Sequence, residues 1–386
     1  MKGFCDWYQA ARLKTPHDFL SSRTRIRAEL TGSRENAGFF TSVNIIKNEI
    51  LPQNSGFHLR EAYIDYQGTN WDIRIGRQII IWGNADGIQI TDIISPMDYT
   101  EFLAQDYDDI RMPVEGVKTR YNWNQASLEV VWIPVFQADN IPLDDNSPWA
   151  FKPSSADQFP VVMEPAVLPE KKLSNGDFGG KLSLFRKGFD LSLSTLYTWD
   201  KMPVMRARLL QKNDSSLISL QPQHHRLFFI GQELSWPIGA FVIRGENAFF
   251  YGKHFESKNP TANLFKKNCL HWLAGIDWYP GGEWNLSAQF SNLQILHYES
   301  EMNTDQHNLL ATFSVSKNLF RNTLTLASFA YYGLNDHEAF TRSQVRYALS
   351  DEIALECGAD IFIGSKGLLG QFKDNNEVFF KAKYSF

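Results

Sequence analysis

The sequence predicts an all-β fold: a transmembrane, antiparallel, up-and-down β-barrel of about 18 strands, with about 16 as the alternative count. Three observations carry that prediction. Apolar and polar residues alternate with period two along most of the 386 residues, as they do in a strand with a different solvent on each side. No run approaches the roughly 20 apolar residues that a membrane helix needs. The connections alternate between tight turns and long polar loops, the asymmetry of a barrel with short periplasmic turns and long extracellular loops.

The C-terminus is the clearest strand. Val378, Phe380, Ala382, Tyr384 and Phe386 fall on one face, and Glu377, Lys381, Lys383 and Ser385 on the other. A terminal aromatic residue suits the membrane interface and a barrel-closing strand. Counting back from Phe386 gives strands at 376–386, 351–363, 338–349, 320–333, 306–317, 283–297, 267–279, 238–252, 224–235, 188–199, 177–186, 126–136, 115–123, 70–82, 56–67, 37–48 and 21–31. An even count needs one more, and Gly3 to Arg12 supplies it. Long loops are expected at 83–114, 137–176, 200–223, 253–266, 298–306 and 364–375. The whole chain, 1–386, reads as one barrel, with 137–176 as a long extracellular loop.

Aromatic residues point the same way. Tyr66, Trp71, Tyr121, Trp123, Trp236, Trp278, Tyr279, Trp284, Tyr347, Tyr384 and Phe386 all fall at the tight-turn end, as an interfacial girdle would. Net charge is −5, so there is no basic footprint and nucleic acid is not expected as a partner. Cys5, Cys269 and Cys357 have no metal or redox spacing. Met1-Lys2-Gly3 leads straight into patterned sequence, the expected start of a mature chain.

One stretch goes beyond a generic barrel. Trp71-Asp-Ile-Arg-Ile-Gly-Arg77-Gln78-Ile-Ile-Ile-Trp82-Gly83, followed by Ile94-Ser-Pro96-Met-Asp98, resembles the "GRQ…WG…NP-D" element of a largely uncharacterised family of Gram-negative outer-membrane barrels. That family is similar in design to the alginate-export porins. Ser95 stands where the family usually has Asn. The resemblance implies an outer-membrane pore with a segment after Trp82-Gly83 that folds inward.

The candidate functional residues are inward-facing cations: Arg23, Arg25, Arg27, Arg74, Arg77, Lys118 and Arg120, with Arg342 and Arg346 on a later strand. A wall of such side chains in a narrow pore favours anions. The competing reading is a bracing network with Glu29, Glu61, Asp65, Asp72, Glu129, Glu246 and Glu356. Alternation from Arg74 puts Arg77 on the lipid face, and a bulge near Gly76 would turn it inward. Residues 83–114 are read as an inward-folded constriction carrying Asp86, Asp92, Asp98, Glu101, Asp106, Asp108 and Asp109. The last three cluster oxygen ligands but lack calcium-loop spacing, so no metal is expected. No cofactor is implied.

The expected function is passive diffusion of small hydrophilic, anionic solutes across the outer membrane of a Gram-negative bacterium. Expected partners are membrane lipid and lipopolysaccharide, the solute, and the barrel-assembly machinery through the strand ending at Phe386. One alternative is a plugged structural or adhesive barrel. The other is a barrel-embedded hydrolase, for which His271 facing serines such as Ser287 and Ser314 is the sole candidate pairing, without an orienting third group. No catalytic residue is assigned.

Overall fold

The protein is described by a computed structural model that covers residues 1–105, 107–144, 146–151, 160–212, 215–259 and 262–386. In chain order the strands are β1 (Lys2–Arg12), β2 (Phe19–Arg34), β3 (Ala37–Asn48), β4 (Gly56–Gln67), β5 (Trp71–Gln78), β6 (Val114–Trp123), β7 (Ala126–Ile133), β8 (Val161–Met163), β9 (Asp177–Arg186), β10 (Phe189–Trp199), β11 (Val204–Lys212), β12 (Ser215–Gln223), β13 (Arg226–Ile238), β14 (Phe241–Phe255), β15 (Phe265–Gly281), β16 (Trp284–Ile295), β17 (His307–Leu319), β18 (Leu324–Gly333), β19 (Glu338–Ala348), β20 (Ile353–Ile363) and β21 (Glu377–Ser385). Eighteen of them form one closed antiparallel sheet in which each strand pairs with the next, β7 passing to β9 and β10 to β13.

Closure occurs between β1 and β21, in register from Phe4 opposite Ser385 to Arg12 opposite Glu377. Beyond that ladder, the Gly3 N–H donates to the Phe386 carbonyl and the Phe386 N–H to the Gly3 carbonyl, both at 2.9 Å. Lipid offers a backbone no hydrogen-bond partner, so this seam is what lets the sheet sit in a membrane. A side chain at Gly3 would run into the Arg27 carbonyl and the Phe386 ring.

The pleat sorts side chains as the alternation requires. On β15, Ile276 and Trp278 are 44% and 43% exposed on the outer face, while Asp277 between them is 3% exposed inside. The outer-facing aromatics Tyr66, Trp71, Tyr121, Trp236, Trp278, Trp284 and Tyr347 are all exposed at the tight-turn end.

Three expectations need correction. The strand placed at 70–82 leaves the wall after Gln78, because residues 79–83 fold into the interior. The strand placed at 126–136 stops at Ile133. The loop placed at 200–223 is largely a hairpin: β11 and β12 pair antiparallel, and β8 adds parallel to β12, making a small sheet apart from the barrel. Its polar composition concealed period-two structure.

Inside the ring lies an apolar cluster. Ile80, Trp82, Ile88, Ile90, Ile94 and Phe102 of the inner segment pack with wall residues such as Leu196, Phe229, Phe250, Leu273, Tyr331, Phe340 and Phe362. Each fully buried side chain of this size stabilises by roughly 1.5–3 kcal/mol.

Gly3→Leu is expected to lower the temperature at which the folded, fast-migrating form disappears in semi-native gel electrophoresis. Gly245→Ala serves as the comparison: its added methyl has nothing nearer than 3.9 Å, and it should leave that temperature unchanged.

Candidate functional site

The site is built by residues 79–113, which leave the wall at Gln78 and rejoin it at Val114, in-register partners of each other. The departure leaves polar backbone behind, and side chains replace the ladder. Gln78 Nε2 donates to the Gly116 carbonyl at 3.1 Å, Glu61 Oε1 accepts the Ile79 N–H at 2.9 Å, and Arg77 Nε donates to the Leu59 carbonyl at 2.9 Å.

The inner segment folds back on itself. Ser95 Oγ accepts the Ile80 N–H at 2.9 Å, and Asp92 Oδ1 accepts the Trp82 N–H at 3.1 Å. Gly83 has φ +100° and lies against Thr91, leaving no room for a side chain. Asp98 Oδ1 accepts the Thr100 N–H at 3.0 Å, fixing the next turn. These contacts give the Gly-Arg-Gln, Trp-Gly and Pro-x-Asp elements one physical role: they end a strand and tie the diverted chain together.

The barrel wall then holds the segment. Glu246 of β14 accepts N–H groups from Asn84, Ala85 (2.7 Å) and Thr91 (3.3 Å) and the Thr91 hydroxyl (3.0 Å). Trp82 Nε1 donates to Glu129 Oε1 at 2.7 Å, and Tyr331 donates to the Gly87 carbonyl at 2.5 Å.

The sequence-predicted acids separate into groups. Asp109 bridges Arg25 (2.7 Å) and Arg27 (2.9 Å). Burial opposes its charge, but Arg25 and Arg27 outweigh that and hold the carboxyl well below the ordinary carboxylate range. Glu101 meets Arg23 at 3.4 Å and also accepts from Ser21 and Asn48. Asp86 lies 3.9 Å from Arg244. Asp92 binds Arg111 at 2.9 Å within the segment. Asp106 lies outside the described residues. Asp108 belongs to the short helix α1 (Tyr107–Ile110), but its side chain is outside the description.

The predicted cations occupy one arc, because β19, β20, β21, β1, β2, β3, β4, β5 and β6 are consecutive around the ring. Arg25 also meets Asp6 at 2.5 Å, and Arg342 meets Asp360 at 3.0 Å. Arg74 lies 3.9 Å over the Tyr63 ring, with Lys118 opposite it in register. Arg120 sits 3.5 Å from Asp72 and 3.9 Å from Glu129. Arg346 is opposite Glu356. For Arg77 the correction concerns the expected bulge alone, since the residue still lines the upper chamber described below. Gly76 has φ +132° but introduces no register shift, so Arg77 stays on the face of Ile73 and Ile75 and meets Glu115 at 3.5 Å.

Two of the cavities beside the inner segment carry these cations. The lower one, about 940 Å³, is lined by the cations Arg25, Arg27, Arg111, Arg244, Arg342, Arg346, Lys381 and Lys383, against the carboxylates Asp86, Asp109 and Glu356. The upper one, about 280 Å³, is lined by Arg23, Arg25, Arg27, Arg60, Arg77 and Arg111, with Asp98, Glu101 and Asp109. They share Arg25, Arg27, Gln105, Asp109 and Arg111. Sequence reading missed Arg60, Arg111, Arg244, Lys381 and Lys383 as members of this lining, and Asp6 as the buried partner of Arg25 behind it. Lys381, Lys383 and Arg244 occupy inward positions of an alternation that was already legible; Arg60 sits at a bulge and Arg111 in the diverted segment. The proposed facing of His271 and Ser287 fails: Ser287 is opposite Asp277, six residues along β15 from His271, on the order of 20 Å away.

A closed ring of 18 antiparallel strands, apolar outside and charged within, defines the class: a transmembrane β-barrel of the outer-membrane type. Within that class, the chain belongs to the family described as "Protein of unknown function (DUF1302)", which it matches over residues 11–339. No curated protein matches the sequence. The fold is similar to three solved Pseudomonas aeruginosa proteins. OccK11 (OpdR) aligns at TM-score 0.58 and 8% identity, covering 100% of this chain and 95% of that one. OccK8 (OprE) aligns at 0.57 and 9%, covering 100% and 97%. OccK5 (OpdH) aligns at 0.55 and 10%, also covering 100% and 97%.

Glu246→Ala is expected to loosen the inner segment, since buried N–H groups lose their acceptor at about 1–3 kcal/mol each. A red shift of tryptophan emission and a lower thermal midpoint would report it. Asp139, in the stretch after β7, accepts the Met97 N–H at 2.8 Å. Removal from water pushes its carboxyl up to about 6, with Asp200 adding to the effect and the Met97 N–H, Lys201 and Lys253 opposing it. The unfolded chain loses this proton first, near pH 4. Stability from this group is therefore greatest below about pH 4, falls as pH rises to about 6, and is flat above. Urea midpoints at pH 4.5 and 7.5 should differ less in Asp139→Asn than in the parent.

Proposed function

We propose that the protein is an outer-membrane pore through which small hydrophilic anions diffuse passively. The observation that carries this reading is the pair of predominantly basic chambers meeting at Arg25, Arg27 and Asp109. Fixed cations in a narrow, low-dielectric passage attract anions and exclude cations. In the lower chamber eight basic side chains share the lining with three carboxylates, while Asp6, Asp92, Asp277 and Asp360 pair with Arg25, Arg111, Arg244 and Arg342 from behind it, so the charge turned toward the solute space is predominantly basic. Asp109 is the gate residue of this reading. It neutralises two guanidinium groups and occupies the neck between the chambers.

A second reading, a plugged structural or adhesive barrel, draws on the apolar cluster between residues 80–102 and the inner wall. A dry interior on that side closes part of the lumen. The two readings differ in conductance. A pore gives discrete current steps in a planar bilayer; a plugged barrel gives none.

Asp109→Asn is expected to raise single-channel conductance and shift the reversal potential in a potassium chloride gradient toward greater chloride preference. Replacing Arg342 and Arg346 together with Gln should shift it the opposite way. An unchanged reversal potential in both variants would remove the basic wall from the mechanism.

A further inference from the structure

The wall has a gap. The β4–β5 ladder runs from Gln67 opposite Asp72 to Ala62 opposite Arg77 and stops there. On its other side β4 continues upward, paired with β3, as far as Gly56 opposite Ile46. Residues Gly56–Glu61 therefore have no strand beside them on the β5 side among the described residues. The chain that would have covered them turns inward at Ile79.

The height of the gap is set by the same strands. Leu59 is seven residues above Tyr66 of the aromatic girdle, roughly 18 Å along the membrane normal for a tilted strand and so within the apolar band. Its neighbours confirm a lipid-facing surface there: Phe57 is 68% exposed and Ile45 is 52% exposed on the outer face. Leu59 and Arg77 belong to that outer face by register, yet both line the upper chamber together with inward-facing Ile46 and with Met112 and Pro113. A cavity bounded by residues from both faces of a one-layer wall passes through it.

We propose that the upper chamber opens sideways into the outer leaflet between β4 and the top of β5 and β6, and that amphiphilic monoanions exchange through this opening. The chemistry is divided to match. Arg60 and Arg77 offer cations to an anionic head, while Leu59, Ile46, Met112 and Pro113 present apolar contacts to a tail. An isolated hydrophilic anion has no use for the apolar rim, and a neutral lipid has none for the guanidinium groups. The inference goes beyond the pore reading by adding amphiphilic anions to the hydrophilic ones, and it rests on that reading for the onward route through the neck.

The test uses the full-length protein in liposomes, with Cys5, Cys269 and Cys357 replaced by Ser and a fluorophore on one introduced cysteine. Ile46→Cys reports the upper chamber, Ile45→Cys the outer face and Ala327→Cys the lower chamber. Nitroxide-labelled lipid should quench the probes at 45 and 46; iodide should quench those at 46 and 327. A probe at 46 that lipid leaves as bright as the probe at 327 overturns the opening. In unlabelled protein, octanesulfonate should block chloride current at a concentration at least tenfold below methanesulfonate, and Leu59→Glu should erase the difference. Equal block by the two sulfonates overturns the substrate class. Absence of any chloride current counts against the pore reading alone, and the quenching comparison then decides the opening by itself.

Discussion

Backbone hydrogen bonding without water is the constraint on which the rest of this structure depends. In hydrocarbon an unpaired N–H or C=O is too unfavourable to persist, so a strand that crosses the membrane must be paired on both sides. The chain meets this by closing β1 on β21 and by continuing the same antiparallel ladder around 18 strands. The period-two pattern follows from closure. Once the ring exists, each residue faces either lipid or lumen, and sequence must alternate accordingly. Where the ladder fails, three side-chain-to-backbone bonds replace part of it, at the Leu59 carbonyl, the Gly116 carbonyl and the Ile79 N–H. Gln78, Arg77 and Glu61 supply those bonds, which is why the polar part of the Gly-Arg-Gln element sits at the departure point.

A ring of this size is wide enough to leave an aqueous lumen, and the diverted segment divides that lumen unequally. Its apolar side chains meet the inner faces of β10 and β13–β20, making a dry region. Its carboxylates Glu101 and Asp109 meet the arginines of β2. The larger chamber thereby runs along the cation-bearing arc and reaches Arg244 of β14 and the inner face of β18. One segment thus both narrows the lumen and places its carboxylates against the arginines of β2.

How legible this was depended on how local each signal is. Strand alternation is local, and β3 and β4 were readable to their ends, as was the need for an N-terminal strand to complete an even ring. The inner dry region was not. Its signal lies in inward positions that are apolar as well, as in Leu227-Phe228-Phe229-Ile230 and Phe249-Phe250, where alternation gives way to a continuous apolar run. Such a run marks a strand buried on both faces, and the interior of a pore is not where one is expected. The acids of the inner segment carried no label for their partners. Asp92 and Asp109 are both near arginines, but Asp92 ties the segment to itself through Arg111 and Asp109 ties it to the wall. That distinction is set by a fold-back of the chain, which residue type alone does not encode. Arg77 kept its alternation because Gly76 absorbed the strain in φ without a register shift.

The neck is held by charge, and this bears on what it is for. A buried ion pair is weak evidence for stability, because desolvation offsets much of the attraction, whereas an apolar contact of the same size stabilises outright. The chain uses apolar contacts across the dry region, where nothing needs to pass, and ion pairs where the two chambers meet. On the proposed reading, an anion taking the place of Asp109 between Arg25 and Arg27 would cost those arginines little, since one carboxylate or sulfonate replaces another in the same fork. Apolar packing at that point would have to be broken with no such replacement. The division of the lumen between grease and charge therefore separates the part that fixes the segment from the part where, on the proposed reading, an anion would compete with Asp109.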